Sequence, residues 1–122
     1  MGLRVLLVDD EEDIIEVIRD RLEAYGFTVV TAGTGVEALK TLSMERFDGI
    51  FLDVKMPEMG GLEALEEIRK KDQRIPIIII TSSSTRESAI EALAKGANDF
   101  VLKPFEWQEL KGKIEKVYNM TL

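Results

Sequence analysis

The sequence predicts an α/β domain built on a parallel sheet that is covered on both faces. Short apolar runs alternate with segments of helical period along all 122 residues. One run, Ile77-Ile78-Ile79-Ile80, is a row of β-branched residues, the mark of a central strand buried on both sides. Two others, Val5-Leu6-Leu7-Val8 and Gly49-Ile50-Phe51-Leu52, stop abruptly on carboxylates, Asp9-Asp10-Glu11 and Asp53.

Arg4 to Val8 reads as the first strand. From Glu12 to Tyr25, the residues Ile14, Ile15, Ile18, Leu22 and Tyr25 fall on one helical face, and Gly26 caps that helix. Phe27 to Thr31 is a short β-rich stretch whose Thr28 and Thr31 suit an edge strand. A helix over Val36 to Arg46 is expected to turn Val36, Leu39 and Leu42 inward. Gly49 to Leu52 is the third strand. Met56 to Gly61 is rich in breakers and reads as a loop. Leu62, Leu65 and Ile68 mark a helix ending on Arg69-Lys70-Lys71, which suits the negative end of its dipole.

Pro76 opens the fourth strand, Ile77 to Ile80, and Thr81-Ser82-Ser83-Ser84 reads as the loop after it. Ser84 with Glu87 forms a capping box for a helix that ends at Gly96. Phe100 to Leu102 is the fifth strand. Lys103-Pro104 then turns the chain into a last helix, with Trp107, Leu110, Ile114 and Val117 inward. At its helical spacing Trp107 is a core or core-rim residue, or else offers its edge to a partner. No internal repeat, linker or low-complexity segment interrupts the pattern.

Residues 1–122 are enough for one domain and one core, and the apolar fraction of 45% is ordinary. The net charge of −7 argues against direct binding of nucleic acid, which needs a basic surface. Without cysteine there is no disulfide framework and no thiolate metal site. Without histidine, the usual general base and the usual zinc ligand are both missing. Any chemistry falls to carboxylates, hydroxyls and lysines. No apolar run approaches the ~20 residues that span a bilayer. The first apolar stretch breaks into Asp9-Asp10-Glu11-Glu12-Asp13, unlike a signal peptide. Leu6 stands where a myristoylation signal takes Ser or Thr. A cytoplasmic protein with no membrane partner is expected.

In a sheet of this kind the working crevice lies beyond the carboxyl ends of the strands, at a topological switch point. Asp9, Asp10, Asp53, Thr81 and Lys103 all follow strands and converge there. Carboxylates held that close destabilise a fold unless something neutralises them. A hard divalent cation with oxygen ligands, Mg²⁺, does so economically. Each residue has a plainer reading. Glu11, Glu12 and Asp13 favour any helix N-terminus. Asp53 alone is a turn former, Thr81 alone a strand-end hydroxyl, Lys103 alone a solvated cation. Their joint spacing sets them apart. A flavin or nucleotide binder is disfavoured, because Asp9-Asp10-Glu11 occupies the place of a phosphate loop and repels phosphate.

Four stretches carry a family resemblance: Val5-Leu6-Leu7-Val8-Asp9-Asp10-Glu11, Asp53-Val54-Lys55-Met56-Pro57, Thr81 after the isoleucine strand, and Gly96-Ala97-Asn98-Asp99-Phe100-Val101-Leu102-Lys103-Pro104-Phe105. In that order and spacing the chain resembles the receiver domain of two-component response regulators over its whole length. The resemblance implies a flavodoxin-like doubly wound sheet of five strands, order 2-1-3-4-5, with five helices; a chemotaxis regulator of the family is a familiar example of that order. It implies that Asp53 is the phosphoacceptor, taking a phosphoryl group from a sensor histidine kinase or phosphotransfer protein. Asp10, Asp53 and the backbone carbonyl of Lys55 would hold Mg²⁺, with Asp9 acting through water. Thr81 and Lys103 would bind phosphoryl oxygens. Thr81 and Phe100 would form the switch, and Lys55 and Ser83 would tune the lifetime of the phosphoryl group. A downstream target or a second copy would bind through residues 85–117. The residues leave the Lys103-Pro104 bond cis or trans, and the resemblance favours cis. Gly60 stands where many relatives carry a capping Asp or Ser, and Phe100 where some carry tyrosine.

On this reading the protein is a switch that catalyses its own phosphorylation and dephosphorylation, not a dedicated enzyme. A receiver that only docks, without chemistry, is set against by the intact acid, threonine and lysine set. A Mg²⁺-dependent aspartyl phosphatase wants a second acid two residues beyond its nucleophile, where this chain has Lys55. The chain reads equally as a stand-alone regulator or as the receiver of a larger one.

Overall fold

The computed structural model describes residues 2–56, 59–82 and 86–122. Five strands and five helices alternate: β1 Arg4–Val8, α1 Glu12–Ala24, β2 Thr28–Ala32, α2 Gly35–Met44, β3 Gly49–Leu52, α3 Gly61–Lys71, β4 Ile77–Ser82, α4 Arg86–Ala94, β5 Asp99–Lys103 and α5 Trp107–Tyr118. The strands form one parallel sheet in the order β2-β1-β3-β4-β5, as expected. No helix among the described residues is long and apolar enough to cross a membrane.

Alternation along the central strands splits the core into two layers, because successive side chains leave opposite faces of the sheet. Leu6, Val8, Ile50, Leu52, Ile77 and Ile79 face one cluster with Ala38, Leu65, Ile68 and Ala92. Val5, Leu7, Phe51, Ile78 and Ile80 face the other, against Ile18 and Leu22 of α1 and Leu110 and Ile114 of α5. Each such side chain, fully buried, contributes about 1.5–3 kcal/mol. The isoleucine run is apolar throughout because β4 has no solvent face.

Several local expectations are corrected. Val36 does not point inward but is 50% exposed. Helix α2 begins one residue earlier and turns Gly35 and Ala38 to the core instead. Thr34 sets that start by accepting from the Glu37 amide at 3.1 Å, while Glu37 Oε1 accepts from Gly33 N at 3.0 Å. The small Gly35 lets the helix lie against Met59, whose carbonyl a Cβ would meet at 2.7 Å. Tyr25 lies just beyond α1 as its C-cap. Thr81 and Ser82 are not loop but the end of β4, paired with Leu102 and Lys103 of β5. The ladder is made by backbone groups, so polar side chains do not end it. The proposed Ser84 cap of α4 lies outside the described residues.

One side chain ties the far ends of three elements together. Arg69, near the end of α3, donates from Nε (3.0 Å) and Nη2 (2.8 Å) to the Gly96 carbonyl just after α4. Its Nη2 also reaches Asn98 Oδ1 at 3.1 Å, and its Nη1 the Asp72 carbonyl at 3.1 Å. Asn98 Oδ1 in turn accepts from Ile77 N at the start of β4, at 2.8 Å.

Candidate functional site

The strand order reverses direction between β1 and β3, and the register there sets Val8 beside Leu52. The residues that follow, Asp9 and Asp53, are therefore neighbours at the carboxyl edge. Asp53 N donates to the Val8 carbonyl at 2.9 Å, and Asp9 N to the Ala32 carbonyl at 3.1 Å. Both side chains are turned back by the same device. Asp9 Oδ1 accepts from Glu11 N at 3.0 Å, and Asp53 Oδ1 from Lys55 N at 3.1 Å. Each carboxylate thus folds over its own loop and leaves its second oxygen, Oδ2, to the Lys103 ammonium.

Gly61 allows the floor beneath Asp53 to form. A Cβ there would lie 2.2 Å from the Asp53 carbonyl oxygen and 2.4 Å from Val54 Cα. Only glycine lets the start of α3 approach this closely. Gly61 N donates to the Val54 carbonyl at 3.0 Å, fixing the contact.

Lys103 ends β5 and crosses the edge to these acids. Its Nζ lies 2.8 Å from Asp9 Oδ2, 2.8 Å from Glu11 Oε1 and 3.3 Å from Asp53 Oδ2. Asp9, Asp53, Thr81 and Lys103 are buried, at 1%, 4%, 0% and 8% exposure. The peptide bond after Lys103, to Pro104, is cis as expected. Asp10 and Lys55 are exposed. With Glu11, Met56 and Ser82 they line an open crevice of about 540 Å³ above the buried acids.

Ligand oxygens of Asp9, Asp10, Glu11 and Asp53 all lie within 4.8 Å of one another. Burial pushes the Asp9 carboxyl above its ordinary value, against the lowering effect of its bond to Lys103. Burial alone would lower the Lys103 ammonium, but its bonds to Asp9 and Glu11 and the charge of Asp53 raise it well above the usual lysine range. Lysine therefore stays charged here, but its one ammonium engages three of the four clustered carboxylates, those of Asp9, Glu11 and Asp53. A further hard cation fits such a donor set: all oxygen, part buried, part open to water.

The structure thus brings Asp9, Asp10, Asp53, Lys55, Thr81 and Lys103 to one edge. Ser83 lies outside the described residues. Phe100 sits half-buried on β5, packed on the layer that holds Leu52 and Ile79. Two contacts had no sequence signal. Glu11, read as part of the acidic run Asp9-Asp10-Glu11 and as a helix start but given no role of its own, is in contact with Lys103. Lys113 of α5 reaches Phe100.

A doubly wound parallel sheet with an acidic crevice and a buried lysine at its switch point is a flavodoxin-like α/β domain. The chain belongs to the response regulator receiver domain family, whose sequence model matches residues 5–115. It is 41% identical over 118 residues to a probable transcriptional regulator, ycf27, of Guillardia theta, covering 97% of this chain and 46% of that protein. It is 34% identical over 117 residues to the alkaline phosphatase synthesis transcriptional regulatory protein PhoP of Bacillus subtilis, covering 96% of this chain and 49% of that one. The chain spans about half the length of these relatives. Among solved structures, response regulator TrrA from Thermotoga maritima, in complex with Mg²⁺-BeF, superposes with a TM-score of 0.85 at 39% identity, covering 96% of this chain and 99% of that one. The receiver domain of sensor histidine kinase PA1611 from Pseudomonas aeruginosa, with a magnesium ion in its active-site cleft, gives 0.87 at 30% identity, covering 98% and 99%.

Proposed function

We propose that this receiver accepts a phosphoryl group on Asp53 from a phosphohistidine of a sensor kinase or phosphotransfer protein, in a Mg²⁺-dependent reaction. The observation that carries the reading is the Asp53 carboxylate, 4% exposed, grouped with Asp9, Asp10 and Glu11 and 3.3 Å from the Lys103 ammonium. Phosphoryl transfer asks a protein for positioning and charge neutralisation more than for covalent chemistry. An Asp53 oxygen forms a bond to phosphorus as the phosphorus–nitrogen bond breaks. The imidazole leaves with that electron pair.

Asp10, Asp53 and the Lys55 carbonyl would hold Mg²⁺, with Asp9 through water; bound there, the cation offsets the charge of the acids and of the incoming phosphoryl group. Lys55 N already orients Asp53 through Oδ1. Lys103 supplies a permanent positive charge to the phosphoryl oxygens. Thr81, at the end of β4, supplies a hydroxyl. Thr81 and Phe100 then shift together, and the face over residues 85–117 carries the signal to a target or a second copy.

The test is intact mass after incubation with a small phosphoramidate. A gain of one phosphoryl group is expected, lost with EDTA and in Asp53→Asn. Labelling that survives Asp53→Asn moves the site elsewhere.

A further inference from the structure

We infer that Glu11 is a positioning residue for the phosphoryl group: it occupies Lys103 in the resting state and must release it when that group arrives. The inference rests on the phosphoacceptor reading of Asp53 and concerns how Lys103 is made available.

An ammonium has three N–H donors. Lys103 spends all of them on Asp9, Glu11 and Asp53. The partners are not equal. The Asp9 and Asp53 side chains are 1% and 5% exposed, whereas that of Glu11 is 58% exposed. A buried carboxylate stripped of its partner loses its solvation outright, while an exposed one is taken back by water. Glu11 is therefore the partner that Lys103 gives up most readily.

The second observation concerns the helix that Glu11 begins. Glu11 occupies the N-cap position of α1, yet its side chain makes no capping hydrogen bond. Asp, Asn, Ser and Thr cap well because their oxygens sit close to the free amides. Glutamate is one methylene longer. Here that extra length carries its carboxylate to Lys103, at 2.8 Å. The residue type at this position suits the lysine and not the helix.

Glu11 also lines the crevice that the phosphoryl group must enter, with Asp10, Lys55, Met56 and Ser82. A phosphoryl group carries close to two negative charges and cannot share that space with the Glu11 carboxylate. Its arrival displaces Glu11 and inherits the lysine donor. Glu11 so raises the threshold for phosphorylation and, before it, keeps Lys103 from pairing more closely with Asp53.

The experiment measures beryllofluoride affinity by amide chemical-shift titration at saturating Mg²⁺, with Mg²⁺ affinity determined separately for each variant. Glu11→Asp keeps the charge and improves the cap but is too short to reach Lys103. Glu11→Ala removes reach and charge, and Glu11→Gln keeps reach without charge. Glu11→Asp and Glu11→Ala should both bind about two- to five-fold more tightly than the parent, the scale of one exposed ion pair. Glu11→Gln should fall between. If Glu11→Asp binds as the parent does, charge alone matters and the inference is overturned. If the parent takes up no beryllofluoride at all, the phosphoacceptor reading falls first and this inference with it.

Discussion

Lys113 lies over the ring of Phe100, its ammonium 5.1 Å from the ring centroid, and donates to the carbonyl of that same residue. It also reaches Asp99 Oδ1 at 3.2 Å. Phe100 belongs to β5, the last strand of the sheet, so its outer edge is unpaired. One lysine from α5 thus satisfies an edge carbonyl and holds the ring beside it. Cation–π contacts at partly exposed sites are worth about 0.5–1 kcal/mol. Lys113→Met should release the ring by that amount. Amide shifts around Phe100 in the unphosphorylated variant should then move part of the way toward those of the beryllofluoride form. Shifts that stay at the parent's resting positions would show that Lys113 does not restrain the ring.

The acidic cluster makes stability depend on cations. A ligand that binds only the folded state stabilises it by about 1.4 kcal/mol at roughly ten times its Kd. Mg²⁺ should raise the melting temperature of the parent. Asp10→Asn should melt higher than the metal-free parent and show no Mg²⁺ response. A thermal melt of the parent that ignores Mg²⁺ contradicts the metal reading.

Tyr118 governs an alkaline limb. It closes over Gly49, where a Cβ would fall 1.4 Å from its hydroxyl. Burial pushes the hydroxyl above its ordinary value, and the charge of Asp48 adds to the effect. The unfolded chain releases this proton near pH 10, before the folded chain does. The stability linked to Tyr118 is thus complete below about pH 10 and drains away as pH rises toward the folded value. Lys103, also raised, acts in the same direction. Urea midpoints between about pH 9 and 11 should fall less steeply for Tyr118→Phe than for the parent. Parallel curves would discard the assignment.

Gly61→Ala drives a methyl group into the backbone beneath Asp53. Relief requires α3 or the Asp53 loop to shift, at a cost of about 1–3 kcal/mol. Both denaturant stability and the rate of labelling by phosphoramidate should fall. A variant as stable and as fast as the parent would show that the close approach is not needed.

Lys55 bears on how long the phosphoryl group lasts. It is exposed at the crevice mouth, and it is neither an acid nor an amide suited to orient an attacking water. On the proposed reading, Lys55 would extend over the phosphoryl group and exclude water. Slow self-dephosphorylation is expected, with faster decay in Lys55→Asn in Mg²⁺ buffer. If the parent decays as fast as the variant, the shielding role is wrong.

The strands were legible because their apolar runs are uninterrupted and end sharply at Asp9 and Asp53. The boundaries failed where backbone pairing continues under polar side chains, as at Thr81 and Ser82. On α2, Leu39 and Leu42 pack on the core as read, but Val36 was misread, because Gly35 and Ala38 carry little hydrophobic signal while Val36 carries much. The stretch Thr34-Gly35-Val36-Glu37 held the correct start as a capping pattern. At the site, the acids, Thr81 and Lys103 were legible from family spacing. The pairing of Glu11 with Lys103 was not, because the two lie 92 residues apart and the acidic run alone does not name a partner. Lys113 was hidden in the same way, since its reach around the sheet edge depends on how α5 sits on β5.

The Arg69 clamp at the far end of α4 bears on where the proposed switch would move this face. The C-terminal end of the helix is anchored through Gly96 and Asn98 to α3 and the start of β4. If α4 rotates in the proposed switch, that rotation would pivot about this end, like a door on its hinge. Arg86, at the opposite end, lies about 12 Å away along an axis rising 1.5 Å per residue. A swing on the order of 10° moves Arg86 by about 2 Å and Ala94 hardly at all. On the proposed switch reading, displacement would concentrate on the first turn of α4 and leave its last turn nearly still. A partner gripping the first turn would then read the state of the domain, and one gripping only the last turn would be blind to it.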